Sequence, residues 1–246
     1  MARGSLTADG YCVAETFHLL EEALRSDCEV RTVLAAQSVQ SIVEQHVRSL
    51  AGIRLIAVAD ALFDELSGTE SSQGVIALVR PPAWNLDQLF RGTSLVVVLD
   101  GLQDPGNAGT IARAAEAFGA TGILYVKGTV GPFNPKVLRA SAGSLFRIPF
   151  VHGVDAALAR ASLQQHKLEI YAAVPAGAGQ SQSLAEANLR RRCGLIIGNE
   201  ARGVSAELRS AAQDLSIPTV GVESLNAAVA AAILLYEARR QRTIRP

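Results

Sequence analysis

The stretch SLVVVLDGLQDPGNAGTIARAAEAFG, residues 94–119, predicts a strand, a polar turn and a helix in direct succession. Residues 94–99 form a short run rich in valine, which is typical of a strand covered on both faces of a sheet. Residues 104–107 carry turn chemistry, and residues 108–118 place apolar side chains at helical spacing. Because parallel α/β sheets present ligands at the carboxyl ends of their strands, we expect a functional site at this turn. Its polar candidates are Asp100, Gln103, Asp104 and Asn107.

The composition is that of a globular protein without an overall charge. Of the 246 residues, 49% are hydrophobic and 19% are charged, which fits a well-buried α/β fold and argues against extended disorder. Lysine plus arginine equals aspartate plus glutamate, at 23 each. A nucleic-acid surface would therefore have to come from local clusters such as the arginines of residues 190–192 and 239–242.

The cysteines and histidines predict no metal site. Cys12, Cys28 and Cys193 stand far apart, which is typical of reduced thiols in a cytosolic protein. The four histidines lack the spacing of metal ligands. No apolar run reaches membrane length, and the amino terminus lacks a charged segment followed by an apolar core. We therefore expect a cytoplasmic protein without a membrane partner.

The chain divides into two alternating α/β units. Residues 1–82 predict a compact first unit, residues 83–92 a linker, and residues 93–246 a larger unit with a mainly parallel sheet. Pro81-Pro82 stops the first pattern because neither residue donates a ladder hydrogen bond. The predicted strands are 30–34, 53–58, 74–79, 94–99, 123–126, 168–173, 194–197 and 215–217. The predicted helices are 13–25, 39–50, one from 60, a turn near 87–90, 108–118, 135–142, 155–166, 204–212 and 226–242, with a mobile loop at 175–183.

Two further strand ends have the same polar character as the first. Residues 193–205, CGLIIGNEARGVS, run from a buried strand into a turn with Asn, Glu and Gly. Residues 215–230, LSIPTVGVESLNAAVA, close a strand with Pro218 and reach the last helix through a loop in which Ser224 is the predicted N-cap. Each turn alone is also compatible with an ordinary connection, but three such turns in one sheet predict a shared site.

These stretches resemble the motifs of the SpoU (TrmH) family of RNA ribose 2'-O-methyltransferases. DPGNAGTIARAA at 104–115 is similar to the first motif, IIGNEARGVS at 196–205 to the second and SIPTVGVESLNAAVAAAILLYEA at 216–238 to the third. NPKVLRASAGSLFRIPF at 134–150 is similar to the segment between motifs, and SSQGVIALV at 71–79 to the end of the auxiliary amino-terminal domain. The resemblance covers nearly the whole chain.

The resemblance implies a fold that periodicity alone does not predict. The larger unit would be a SPOUT-type α/β domain whose carboxyl-terminal segment forms a trefoil knot, although connection rules argue against knots. The first unit would be an L30e-like RNA substrate-binding domain. Family members are homodimers whose active site draws on both chains. The implied substrate is RNA, with 23S rRNA favoured over tRNA because the auxiliary domain is more usual in the rRNA enzymes.

The resemblance also implies the site residues and S-adenosylmethionine as cofactor. The cofactor contacts carry over to Gly198, Ile217 and Leu225, and Arg139 and Ser141 would line the RNA path. Arg113 matches the catalytic arginine; because arginine is almost never deprotonated, we expect it to hold a phosphate and stabilise the developing alkoxide rather than act as a base. The remaining catalytic candidates are Asn107, Glu200, Ser224 and Asn226.

Several alternatives stay open at this level. Arg113 could instead be a helix-surface residue paired with Glu116. A dinucleotide enzyme is disfavoured because the glycines of residues 101–109 miss the G-x-G-x-x-G spacing and Lys127 follows the next strand in place of an acidic residue. A catalytically inactive RNA-binding protein is a further alternative. In the third motif Thr219 replaces the usual methionine, Ala227 a frequent valine, and the loop is one residue shorter than in many relatives.

Overall fold

The computed structural model describes residues 6–48, 52–67, 72–177 and 179–243. Within these ranges the chain forms a four-stranded sheet and a seven-stranded sheet. The strands are β1 (Cys12–Ala14), β2 (Glu29–Ala36), β3 (Arg54–Val58), β4 (Val75–Arg80), β5 (Leu95–Asp100), β6 (Gly122–Val126), β7 (Phe150–Val154), β8 (Glu169–Val174), β9 (Gln182–Ser183), β10 (Cys193–Gly198) and β11 (Gln213–Ser216). The α-helices are α1 (Phe17–Leu24), α2 (Gln40–Val47), α3 (Asp60–Leu66), α4 (Leu86–Leu89), α5 (Pro105–Ala117), α6 (Pro135–Ser141), α7 (Ala156–Gln165), α8 (Ala206–Arg209) and α9 (Ala227–Thr243).

The first unit is a small mixed sheet in the order β1-β4-β2-β3, with β2 and β3 parallel and the other pairs antiparallel. The helix predicted over 13–25 is wrong at its start, because residues 12–14 pair with residues 77–79 as a strand. The helix begins at Phe17, where the side chain of Thr16 accepts a hydrogen bond from the Leu19 backbone N–H. Residues 49–50 of the helix predicted over 39–50 and residue 71 of the segment 71–79 lie outside the described residues.

The larger unit confirms the prediction of a mainly parallel sheet. Its strands lie in the order β7-β6-β5-β10-β8-β11-β9, and each is parallel to its neighbours. Two strands were not predicted: β7, whose sequence FVHGV mixes polar residues with apolar ones, and the two-residue β9 inside the predicted loop 175–183. The helix predicted over 204–212 is shorter, since α8 spans Ala206–Arg209 and the chain is extended again from Gln213.

Apolar cores lie on both faces of the seven-stranded sheet. Alternate residues of β5 contribute to each: Val97 and Leu99 belong to the core beneath α5, α6 and α9, whereas Val96 and Val98 belong to the core beneath α7 and α8. The first of these cores continues into the first unit through α1 and β1. Removal of this apolar surface from water is the main stabilising contribution to the fold.

Two ion pairs also join the units. Arg139 Nη1 lies 3.1 Å from Glu15 Oε2 of the first unit. Arg147 contacts Glu22 on α1 and, through two hydrogen bonds of 2.5 and 3.0 Å, both carboxylate oxygens of Glu116 on α5. A bidentate arginine–carboxylate pair is among the stronger polar contacts in proteins. The first unit is therefore held against the helix that follows the first polar turn.

None of the helices in the described ranges has the length and apolarity that crossing a bilayer requires. Over the same ranges, no three His, Cys, Asp or Glu side chains come together as metal ligands would.

Candidate active site

The polar turns after β5 and β10 are joined at the carboxyl edge of the sheet. The two strands run in parallel register, so that Gly198 lies beside Asp100. The Asp100 carboxylate accepts a 2.6 Å hydrogen bond from the Ser205 backbone N–H, and Asn199 donates from its side chain to the Gly101 carbonyl at 2.8 Å. The loop of the second motif is therefore fixed to the loop of the first.

The second loop closes so tightly that it requires a glycine at its entrance. The backbone groups of Asn199 and Gly203 exchange hydrogen bonds of 3.0 and 2.9 Å. A Cβ at Gly198 would lie 2.3 Å from the Gly203 carbonyl carbon and 2.4 Å from the Val204 nitrogen, well inside van der Waals contact. The role of Gly198 that follows from this geometry is loop closure.

Asn107 connects all three predicted motifs. Its side-chain N–H donates to Glu200 Oε1 at 3.1 Å, and its side-chain carbonyl accepts from Asn226 Nδ2 at 3.0 Å. The backbone N–H of Asn107 is itself held by Asp104, the N-cap of α5, at 2.6 Å. One amide side chain thus bridges the loops that follow β5, β10 and β11.

The N-cap of the last helix is Asn226, not the predicted Ser224. The Asn226 Oδ1 accepts from the backbone N–H groups of Ala228 and Val229 at 2.9 and 3.2 Å. Asn226 therefore uses its carbonyl for the helix and its N–H for Asn107, which orients the amide uniquely. Ser224 lies two residues earlier, in the exposed loop.

A cavity of about 580 Å³ opens beside this network. All three predicted cofactor contacts, Gly198, Ile217 and Leu225, line it. Three of the predicted catalytic residues line it as well, namely Glu200, Ser224 and Asn226. Its other walls include Pro175 and Ala176 from the segment predicted as a mobile loop, and Arg202, which the sequence interpretation did not select although it lies inside the second motif.

Arg113 lies on α5 outside the lining of that cavity and is exposed to solvent. The alternative pairing with Glu116 is wrong, because Glu116 is bound by Arg147. Among the described residues Arg113 has no hydrogen bond or ion pair, which leaves its guanidinium available to an anionic ligand. It follows Asn107 by six residues, or about 9 Å along the helix axis.

The two predicted RNA contacts lie away from open surface. Arg139 is engaged by Glu15 of the first unit, and its side chain is 26% exposed. Ser141 is fully buried and its hydroxyl donates to the Leu138 carbonyl at 2.8 Å, which makes it a packing residue of α6. RNA contact by Ser141 would need α6 to move.

Comparisons with known proteins agree with this arrangement. Residues 94–236 match the SpoU rRNA Methylase family, and residues 7–77 match the MRM3-like substrate binding domain. The chain is 32% identical over 229 residues to the 23S rRNA (guanosine(2553)-2'-O)-methyltransferase RlmP of Bacillus subtilis, covering 90% of this chain and 86% of that one. It is also 32% identical over 203 residues to the 23S rRNA (guanosine-2'-O-)-methyltransferase RlmB of Ralstonia nicotianae, covering 80% of each.

A solved structure extends the likeness to both units. The SpoU methyltransferase AviRb from Streptomyces viridochromogenes, crystallised in complex with the cofactor AdoMet, has a TM-score of 0.85 and 29% sequence identity. The match covers 95% of this chain and 91% of that chain. The resemblance drawn from the three motifs is thereby confirmed: the chain belongs to the SpoU rRNA methylase family.

Proposed function

We propose that this protein transfers a methyl group from S-adenosylmethionine to a ribose 2'-hydroxyl of ribosomal RNA, with 23S rRNA as the substrate class. The observation that carries the proposal is the meeting of three motif loops through Asn107 beside a cavity of cofactor size. The names of the relatives in Bacillus subtilis and Ralstonia nicotianae support 23S rRNA rather than tRNA as the target.

The cavity suits the proposed cofactor in its chemistry. Ile217, Leu225 and Ala230 provide apolar surface for an adenine ring, and the glycine-bearing loop at 198–203 exposes backbone groups to polar atoms. The Glu200 carboxylate supplies a negative charge at the same wall. When bound, S-adenosylmethionine would supply an electrophilic methyl group on a sulfonium centre.

The remaining requirement is to position and activate the ribose hydroxyl. The chain Glu200–Asn107–Asn226 holds the three loops in one arrangement, which reduces the entropic cost of aligning the reactants. Arg113 offers a guanidinium that stays protonated, so its proposed role is to bind an RNA phosphate and stabilise the developing alkoxide. Ser224 is proposed to contact the substrate ribose from the third loop.

A homodimer is part of the proposal because Arg113 lies outside the cavity of its own chain. The outer surface of α9 is apolar near this helix: Val229 and Tyr236 are 48% and 56% exposed, and Tyr236 packs edge-on against Phe118 at 5.8 Å. Pairing two copies through α5 and α9 would cover this surface and place arginines of one chain near the loops of the other.

The domain boundaries and the knot also remain proposals. We propose residues 1–82 as the L30e-like substrate-binding domain, 83–92 as the linker and 93–246 as the catalytic domain. The trefoil knot is proposed from the family fold. It is supported by the placement of β10 between β5 and β8, and by the return of α9 to contact α5 and β10.

The test is transfer of labelled methyl from S-adenosylmethionine to unmodified bacterial ribosomal RNA, followed by nuclease digestion and mass spectrometry. The expected product is a single ribose-methylated nucleotide in 23S rRNA. Arg113→Ala should abolish transfer while leaving cofactor affinity by calorimetry nearly unchanged. Methylation of tRNA alone would refute the substrate class, and lack of cofactor binding by a folded protein would favour the inactive RNA-binding alternative.

The departures in the third motif are the specific reason to consider an inactive RNA-binding protein. The Thr219 hydroxyl donates to the Val222 carbonyl at 2.8 Å, so the shortened loop closes on itself. Leu225 still lines the cavity and Asn226 still caps α9, which supports an intact cofactor site.

A further inference from the structure

A second cavity, of about 620 Å³, lies between the first unit and the β7 edge of the larger sheet. Residues of the two units and of the segment between them line it together, and none of them lines the first cavity. The lining residues that matter here are Asp27, Arg80, Trp84, Phe133, Phe150 and His152. Clefts between domains are frequent ligand sites in proteins.

One side of this cavity is aromatic. Phe133 packs against Phe150 at a ring distance of 5.6 Å and against His152 at 5.4 Å in an edge-to-face arrangement. Trp84 adds the largest ring from the linker. Phe133 and Phe150 are themselves buried, so the aromatic surface open to a ligand is that of the half-buried Trp84 and the exposed His152. Single-stranded nucleic-acid bases stack on such aromatic faces.

His152 is open to solvent, yet it lies in a concave surface whose protein atoms lower its pKa by desolvation. Desolvation therefore favours the neutral form of this imidazole. A neutral imidazole has one donor and one acceptor nitrogen, both suited to the polar edge of a base.

The opposite rim carries three carboxylates, Asp9, Asp27 and Glu29, against one arginine, Arg80, and is therefore acidic on balance. Glu29 is already engaged by Arg80 at 2.7 Å, and Asp9 lies 3.5 Å from Arg31. Asp27 is exposed and, within the described ranges, has no hydrogen bond or ion pair. This rim disfavours a phosphate and favours a group that donates hydrogen bonds to a carboxylate.

We propose that this cavity receives an unstacked guanine base of the RNA, distinct from the nucleotide that is methylated; this rests on the proposed RNA substrate. Guanine alone among the four bases offers two adjacent donors, N1–H and N2–H, that match one carboxylate, here that of Asp27. The ring would stack on Trp84, and the phosphates would stay outside the acidic rim.

The chain contains one tryptophan, so Trp84 emission reports this cavity directly. The probes are the RNA trinucleotides UGU, UAU, UCU and UUU, titrated at low salt. UGU is expected to quench the emission and to bind about tenfold more tightly than UUU, since only guanine places two hydrogen-bond donors on the Asp27 carboxylate.

The matched variants are Asp27→Asn and, as control, Asp64→Asn at an exposed site on α3. Asp27→Asn should lose the tenfold preference for UGU while binding UAU as the parent protein does, and Asp64→Asn should behave as the parent. In the methyl-transfer assay Asp27→Asn should raise the KM for RNA and leave kcat unchanged. Thermal melting checks that both variants are folded.

Two results would overturn the proposal. One is an unchanged Trp84 emission with all four trinucleotides; the other is a UGU affinity that does not depend on Asp27. Quenching by a short arginine peptide but by no trinucleotide would assign the cavity to a protein partner instead. If UGU binding depends on Asp27 but no methyl is transferred, the base site stands and the proposed methyl transfer falls.

Discussion

Substitution of Gly109 by alanine tests how closely α5 packs on α6. Gly109 lies in α5, two residues after Asn107 and one turn before Arg113. A Cβ there would lie 2.4 Å from the Val137 carbonyl oxygen and 2.5 Å from the Ala140 Cβ, both on α6. Ordinary contacts begin near 3.4 Å, so the two helices would have to separate by about 1 Å.

The magnitude follows from two opposing effects. Glycine to alanine inside a helix stabilises it by about 1 kcal/mol, whereas overpacking costs about 1–3 kcal/mol and occasionally more. Because the closest atom is a backbone oxygen that cannot rotate away, we expect the upper end of that cost and a net loss of about 2 kcal/mol. The displacement of α5 should also lower methyl transfer, since Asn107 moves with the helix.

The assay is urea unfolding, with Gly106→Ala as the matched control in the same helix. A Cβ at Gly106 would lie 3.0 Å from Asp104 Oδ1, the oxygen that also accepts from the Asn107 N–H. This contact is with the end of a side chain that can shift slightly, so the unfolding free energy should change by less than about 1 kcal/mol. A higher midpoint for Gly109→Ala would refute the close packing of α5 on α6. Equal losses in both variants would place the cause at the start of the helix instead.

Three further predictions address the site, an ion pair and the last helix. Asn107→Ala should lower the methyl-transfer rate by about 10²-fold. Asn107→Asp should lower it at least as much, because the new carboxylate would face that of Glu200. Unchanged initial rates in these variants would contradict the bridging role of Asn107. Burial opposes ionisation of Glu116, but the hydrogen bonds from Arg147 and Ser144 together with the charge of Arg147 outweigh it and lower the pKa of Glu116 below 4.5. This stabilisation is therefore present above pH 4.5 and lost as the pH falls through the folded pKa. Urea midpoints should fall less between pH 5 and pH 3 in Arg147→Gln than in the parent, and equal slopes would refute the coupling. The Arg242 guanidinium donates hydrogen bonds to four backbone carbonyls at the amino edge of the sheet. Arg242→Gln should therefore lower the free energy of unfolding in urea by about 2–3 kcal/mol. A change under about 0.5 kcal/mol would show that water replaces these hydrogen bonds.

Local pattern was sufficient for the elements that are apolar on both sides. The valine run of β5 and the apolar run of β10 are buried throughout, so their strand character follows from composition alone. Pattern was insufficient at β1 and β7. The hydrogen-bond partners of β1 lie more than sixty residues away in β4, and β7 is an edge strand whose exposed residues lack an apolar signature.

The candidate site was likewise predictable only in part. The residue types around Asn107, Glu200 and Asn226 are visible as polar turns at strand ends, and parallel topology brings such turns to one edge. Which residue caps α9 was not visible, because Ser224 and Asn226 are both good N-caps and the choice depends on the bond from Asn226 to Asn107.

The sequence by itself determined the alternating α/β architecture, the polar loops and the family, because these depend on short-range periodicity and on motifs that are contiguous in the chain. Only the tertiary structure decided that Arg139 binds Glu15, that Ser141 is buried and that Arg147 joins α1 to α5. These contacts link residues 31 to 125 positions apart. The exposure of a side chain depends on which segments pack over it. The spacing of residues along the chain does not show where a distant segment packs.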